Sequence, residues 1–210
     1  MGGVAKTVAF ANVATVDTAL NAATKAFAEL HHGSYTKRTQ VLFAFRELVR
    51  QNKEKIAALI TQEHGKVLSD AAGEVTRGLE VVAFACGIPR RLKGGLSEEV
   101  STALDVYTIR QALDRVGIIS PFNFRAMVPM WFFPVANACG NTVIVKSSET
   151  NRGAVMFMAQ LWKEAGLHDG VSNVVHGGKE VVDALLTHPG IKPISRIGNS
   201  TPNPRRHNMP

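Results

Sequence analysis

Between residues 116 and 197, short runs of valine and isoleucine alternate with longer helical stretches, and this alternation restricts the fold more than any other feature of the chain. Residues 116–120, 142–145, 172–175 and 191–197 read as strands rich in β-branched side chains. Residues 128–138 read as an apolar helix with no polar face before Asn137, which implies burial all round and a kink or break at Pro134. Residues 154–164, closed by Gly166, and 179–187, stopped by Pro189, read as two further helices. Strands joined by helix-length connections pair in parallel. The order β-α-β-α-β-α-β therefore predicts an α/β fold holding half or more of a doubly wound sheet with right-handed crossovers.

The preceding part has a different texture. Residues 15–86 carry four helical stripes: Ala19, Leu20, Ala23, Phe27 and Leu30, with Thr15 or Asp17 as N-cap; Val41, Leu42, Phe45, Leu48 and Val49; Ile56, Leu59 and Ile60, ending near Gly65; and Val75, Leu79, Val82 and Phe84, from Ser69 to Gly87. All read as core packing. Residues 100–112 look extended around Val106, Tyr107, Thr108 and Ile109. With 45% apolar and 20% charged residues, the 210-residue chain can bury a substantial core. Its net charge of +7 is dispersed, with short clusters only at Arg90, Arg91, Lys93 and at Arg205, Arg206, so no nucleic-acid partner is expected. Cys86 and Cys139 cannot build a disulfide framework or a cysteine zinc site and suit a reducing compartment. No apolar run is long enough to span a membrane and no secretory signal opens the chain, so a cytoplasmic location is expected.

Ligands of doubly wound sheets bind outside the carboxyl ends of the strands. The first such end carries Ser120-Pro121-Phe122-Asn123-Phe124. The Asn123 amide could donate to a developing oxyanion, or it could cap a turn, and spacing alone favours the turn. The second carries Lys146-Ser147-Ser148-Glu149. There an ammonium and a carboxylate could hold a sugar diol, or the glutamate could simply complement a helix dipole beside an ordinary lysine. Gly177-Gly178, after the third strand, either admits a ligand or turns the chain. No G-x-G-x-x-G or P-loop motif is present.

These loops, together with the stretches 63–71, 73–82, 84–89 and 105–111 and with Ala138-Cys139-Gly140-Asn141-Thr142, resemble the aldehyde dehydrogenases. Within that family they are similar to the CoA-acylating methylmalonate-semialdehyde dehydrogenases, to which Phe122 and Phe124 around Asn123 also point. The resemblance covers roughly 5–198. It implies a partial aldehyde dehydrogenase fold: an N-terminal helical layer and connecting strand (1–112), an incomplete Rossmann-like NAD-binding domain (113–198) and an irregular basic tail (199–210). It makes Asn123 an oxyanion-hole side chain and Lys146 and Glu149 ligands of the adenosine ribose. Ser120 and Phe122 would line the cofactor cleft, and Gly198 would lie near the pyrophosphate. A carboxylate at the ribose repels a 2′-phosphate, which implies NAD rather than NADP. The implied substrate is a semialdehyde, the acyl acceptor CoA, and the partners copies or full-length relatives in a homo- or hetero-oligomer.

The family's nucleophilic cysteine is expected beyond residue 210, and its opening strands before residue 1. Several positions depart from the family pattern. Arg125 and Ser147 stand in place of prolines, and Ala112 and Asp114-Arg115 in place of a Pro-Leu-Gly run. Thr150 stands where arginine is common and Arg196 where an apolar residue is usual. The resulting expectation is a truncated or frame-disrupted enzyme portion, inactive alone and binding NAD weakly. The alternative is a non-catalytic module that pairs with a full-length relative.

Overall fold

The computed structural model describes residues 9–149 and 152–197. Helix α1 (Val13–His32) is capped by Asn12 rather than by Thr15 or Asp17. Asn12 Oδ1 accepts from the Thr15 N–H at 3.0 Å and Thr15 Oγ1 accepts from the Asn12 N–H at 3.4 Å, so Thr15 is the reciprocal partner in a capping box. Helix α2 (Tyr35–Gln51) starts at Ser34, and α3 (Lys53–His64) stops at Gly65, whose φ of 79° suits a residue without Cβ. Helix α4 (Leu68–Arg91) runs past the expected stop at Gly87 and through Pro89. Ile88 and Pro89 are buried there, so packing holds the last turn despite the lost donor. Phe84, expected in the core, is 51% exposed and lies under the Arg91 guanidinium.

In place of one extended segment at 100–112 there is an antiparallel hairpin, β1 (Leu96–Ser101) and β2 (Leu104–Tyr107). All of its strand residues are exposed, so no buried face imposed an alternating pattern that would reveal the turn. Next come β3 (Arg115–Ile119), α5 (Met127–Ala138), β4 (Thr142–Ser147), α6 (Gly153–Glu164), β5 (Ser172–His176), α7 (Lys179–Thr187) and β6 (Ile194–Arg196). Their four strands form one parallel sheet in the order β5-β4-β3-β6. The last strand is shorter than expected, because Ile191 turns into the core and the Pro193 carbonyl takes the Gly117 N–H at 3.0 Å before the ladder begins.

Residues of β4 alternate between two cores, as strand geometry requires. Val143 and Val145 join Val116 and Ile118 on the face covered by α5 and α6, with α2, α3 and α4 packed outside them. Ile144 joins Val16, Leu20, Val181 and Leu185 on the face covered by α1 and α7. Phe45, Phe133 and Trp162 interlock in the larger core, with the Phe45 and Trp162 rings stacked at 3.9 Å. Helix α5 runs unbroken through Pro134 and is not buried all round: Trp131, Phe132, Val135 and Ala136 are half-buried. Gly78 of α4 gives α5 its close approach, since an added Cβ would lie 2.2 Å from Met130 Cε.

Candidate functional site

From β3 the chain steps to β4 and then β5 in one direction, and α7 returns it to the opposite side of β3 as β6. The connection leaving β3 runs to β4, away from β6, so the winding reverses between β3 and β6, and ligands of such sheets bind outside the carboxyl ends of the strands at that switch point. Ser120 ends β3, and its N–H donates to the Lys146 carbonyl at 2.9 Å. Ile119 pairs with Lys146 in the ladder, so the Asn123 loop and the Lys146–Glu149 loop leave adjacent parallel strands at the same end. The Ser120 hydroxyl is buried and has no hydrogen-bond partner among the described residues.

The loop holding Asn123 is braced from three elements. Glu74, fully buried on α4, accepts from the Ala126 and Met127 N–H groups at 2.8 and 3.3 Å. It thereby satisfies two first-turn donors of α5 and places a negative charge at the positive end of the helix. Lys66, between α3 and α4, spans Glu74 and the loop, donating to Glu74 Oε2 and to the Asn123 carbonyl, each at 2.6 Å. Its ammonium also lies 4.3 Å from the Phe124 ring centroid. Arg125, in place of the expected proline, is buried and turns inward. Its Nε donates to the Phe122 carbonyl at 2.9 Å, closing the turn across Asn123, and its Nη1 lies 3.9 Å from Glu63 Oε2. Burial lowers the Arg125 pKa from its ordinary value, and Glu63 and Glu74 oppose that shift. Glu63 Oε1 accepts from the Gly153 N–H at 2.7 Å, so the same carboxylate ties α3 to the start of α6. The Asn123 side chain is exposed and makes no hydrogen bond among the described residues, so it caps no turn there. Phe122 is also exposed, stacked on His64 at 6.5 Å.

Lys146 is buried at the end of β4, with Glu149 Oε1 3.6 Å from its Nζ. Burial lowers the Lys146 pKa and Glu149 opposes the shift. At that separation the ammonium keeps donors for a ligand, while the carboxylate, half exposed, keeps lone pairs. Glu149 Oε1 rests over Gly178 at the start of α7, 3.7 Å from where a Cβ would sit. Gly177 is confined differently: a Cβ there would lie 2.3 Å from Val181 Cγ2. Ser147, again in place of an expected proline, is buried and shares a 2.5 Å hydrogen bond with His176 Nδ1 across the β4–β5 register. Burial, followed by the charges of Arg152 and Lys146, pushes the His176 pKa below its ordinary value. Arg196 lies exposed at the end of β6, so its charge enters no core. Gly198 and Thr150 lie outside the described residues.

Sequence reasoning missed Lys66, Glu74 and His176. For Glu74 a signal existed, because it shares the 74, 78, 82 helical stripe with Gly78 and Val82, and an acid on an apolar stripe needs a partner. Among the described residues no group of three or more His, Cys, Asp or Glu side chains could hold a metal ion, and no helix is long and apolar enough to cross a membrane.

A parallel sheet with helices on both faces and polar loops at the carboxyl ends of β3 and β4 defines a doubly wound α/β fold. The chain belongs to the aldehyde dehydrogenase family, whose model matches residues 2–202. It is 48% identical over 188 residues to the malonate-semialdehyde dehydrogenase of Pseudomonas aeruginosa, covering 90% of this chain and 38% of that protein. It is 40% identical over 190 residues to the human mitochondrial acylating methylmalonate-semialdehyde/malonate-semialdehyde dehydrogenase, covering 90% of this chain and 36% of that one. Among solved structures, the methylmalonate-semialdehyde dehydrogenase of Oceanimonas doudoroffii superposes with a TM-score of 0.89 at 44% identity, over 92% of this chain and 40% of that one. A Sinorhizobium meliloti 1021 protein complexed with NAD superposes with a TM-score of 0.89 at 40% identity, over 91% of this chain and 39% of that one. The chain thus spans less than half the length of these relatives.

Proposed function

We propose that this chain is the N-terminal, nucleotide-binding portion of an NAD-dependent, CoA-acylating (methyl)malonate-semialdehyde dehydrogenase. The observation that carries the reading is the buried Lys146 ammonium set against Glu149 beside the switch-point crevice. The two groups suit a ribose diol: Lys146 donates to both hydroxyl oxygens and Glu149 accepts from both hydroxyls. The unpartnered Ser120 hydroxyl supplies a further polar contact in the same cleft. A 2′-phosphate would bring a second anion against Glu149, so NAD is favoured over NADP. When bound, NAD would accept the hydride of the oxidised aldehyde.

Asn123 is assigned the oxyanion donor. Lys66 and Arg125 hold its backbone from both sides, leaving its amide free to donate. The nucleophile must come from outside these residues, because burial raises both thiols above their ordinary pKa and keeps them protonated at neutral pH. Cys86 lies in the α4 core and Cys139 at the C-terminal end of α5, so neither stands at the N-terminus of its own helix. A thiolate elsewhere would attack the aldehyde carbonyl, hydride would leave to NAD, and CoA would take the acyl group from the resulting thioester. The 210-residue chain alone is therefore expected not to oxidise malonate or methylmalonate semialdehyde.

Calorimetric titration of the chain with NAD and NADP tests the nucleotide reading. Weak, saturable NAD binding that exceeds NADP binding and is lost in Lys146→Met and Glu149→Gln is expected. NAD affinity unchanged in both variants refutes the site, and low-micromolar affinity refutes its incompleteness.

A second reading has its own observation. The exposed apolar side chains Leu96, Val100, Leu104, Val106 and Tyr107 form an unpaired hairpin arm, which favours pairing with a copy or a longer relative. A strictly monomeric mass in light scattering at high concentration, alone and with a full-length relative, would remove this reading.

A further inference from the structure

We propose that His176 is a positioning residue for the nucleotide: it holds Ser147, which lies between the two ribose ligands, and NAD binding weakens when His176 takes up a proton. The proposal rests on the reading of Lys146 and Glu149 as those ligands.

Lys146 and Glu149 grip one diol only if the backbone between them keeps its course. A proline at 147 would stiffen that stretch through its ring. Ser147 has no ring, and its side chain makes one hydrogen bond among the described residues, to His176. The two residues face each other in the β4–β5 register, with Ser147 Oγ 2.5 Å from His176 Nδ1. Ser147 is fully buried, so solvent does not replace that partner. On the far side of the stretch, Arg152 Nη2 donates to the Glu149 carbonyl at 2.9 Å. The loop is thus tied at both ends, and His176 is the tie that titrates near neutral pH.

The hydroxyl fixes the direction of the bond. A serine that only accepted from Nδ1–H would leave its own hydrogen buried and unpaired, so the hydroxyl donates and Nδ1 accepts. A proton on Nδ1 reverses the bond and strands the hydroxyl hydrogen. It also places a third positive charge beside Arg152 at the start of α6 and Lys146 on β4, the two charges that act on the ring. No carboxylate offsets them: Glu149 faces Lys146, Asp183 of α7 pairs with Lys179, and Asp17 of α1 faces His188. Glu180 is exposed on the first turn of α7, and Glu29 and Glu164 stand toward the far ends of α1 and α6. His176 is only partly buried, so the protonated ring escapes toward solvent and releases Ser147. Burial and the two cations lower the His176 pKa from its ordinary value. The bond is therefore intact at neutral pH and is lost as pH falls below about 6.5 through the folded value.

The test is the NAD affinity of the 210-residue chain from pH 7.5 to 5.5, read beside NMR titration of the histidine ring protons. Of the seven histidines, His176 is assigned by the resonance missing from His176→Asn. Affinity of the natural chain should fall about three- to ten-fold across the range, the weight of one hydrogen bond. His176→Leu and Ser147→Ala should show the weakened affinity already at pH 7.5. His176→Asn, whose amide oxygen stands in for Nδ1, should restore affinity at pH 7.5 and hold it level with pH. Ser147→Ala should raise the pH at which His176 titrates, and saturating NAD should lower it in the natural chain by about 0.5–1, the same factor seen from the other side. Affinity level with pH in the natural chain, affinity unchanged in His176→Leu and Ser147→Ala, or a pH response that survives His176→Asn overturns the proposal. If NAD binding is still lost in Lys146→Met and Glu149→Gln, the ribose reading stands without it. NAD binding that is absent, or indifferent to those two variants, removes both. Should His176→Leu fail to fold, Ser147→Ala and His176→Asn decide.

Discussion

Removing the Lys66–Glu74 pair tests whether the Asn123 loop is held by charge or by packing. Glu74 is fully buried and Lys66 mostly so, with 2.6 Å between Nζ and Oε2. A hydrogen bond to a charged group contributes about 1.5–3 kcal/mol net. Deleting one member of a buried pair costs about 3–5 kcal/mol, because the other is left charged and unmatched. Lys66→Met should therefore destabilise the chain by about 3 kcal/mol, since Glu74 keeps only its two backbone donors. Glu74→Gln should cost about the same, because its amide presents donors to an ammonium. In the double variant no uncompensated charge remains, so the loss should fall below the sum of the singles by about 1.5–3 kcal/mol. Urea denaturation of the four proteins measures the cycle. A coupling below about 0.5 kcal/mol, the error of additivity for independent sites, would refute an electrostatic clamp.

Asp114 has a φ of 97° where the family pattern expects a Pro-Leu-Gly run, and its carboxylate pairs with Arg115 at 2.8 Å. Because backbone strain of this kind costs about 1–3 kcal/mol and a partly exposed pair contributes at most about 1, Asp114→Gly should raise the denaturation midpoint. Gly78→Val should cost about 1–3 kcal/mol of stability and lower that midpoint, read from the same curves, by driving a side chain into Met130. His64 and His176 both have pKa values lowered in the folded chain, chiefly by burial. The unfolded chain then binds more protons below about pH 6.5, so stability should be complete above that pH and fall as pH drops toward the folded pKa values. Thermal melts from pH 8 to 5 should show this slope, and His176→Asn should flatten part of it. A slope of the opposite sign would contradict the burial argument.

The parallel order of the sheet was legible in the residues, because β-branched runs separated by helix-length amphipathic stretches admit little else. The four N-terminal helices were legible for the same reason: a 3.6-residue stripe is a local property. Family resemblance singled out Asn123, Lys146 and Glu149, to which spacing alone assigned ordinary structural roles. Local pattern failed where non-local contacts decide. Helix α4 passes Gly87 and Pro89 because its last turn is packed in the core, and the exposed hairpin carries no buried face to mark its register. The clamp on the Asn123 loop was equally hidden, since Glu74 and Lys66 reach it across 52 and 57 residues of chain. Arg125 and Ser147 read in the sequence as defects in a proline pattern. Folded, Arg125 turns its guanidinium onto the Phe122 carbonyl and Ser147 hydrogen-bonds His176 on the neighbouring strand. Which hydrogen bonds a side chain makes depends on what the fold brings within about 3 Å of it, and one-dimensional periodicity does not encode that.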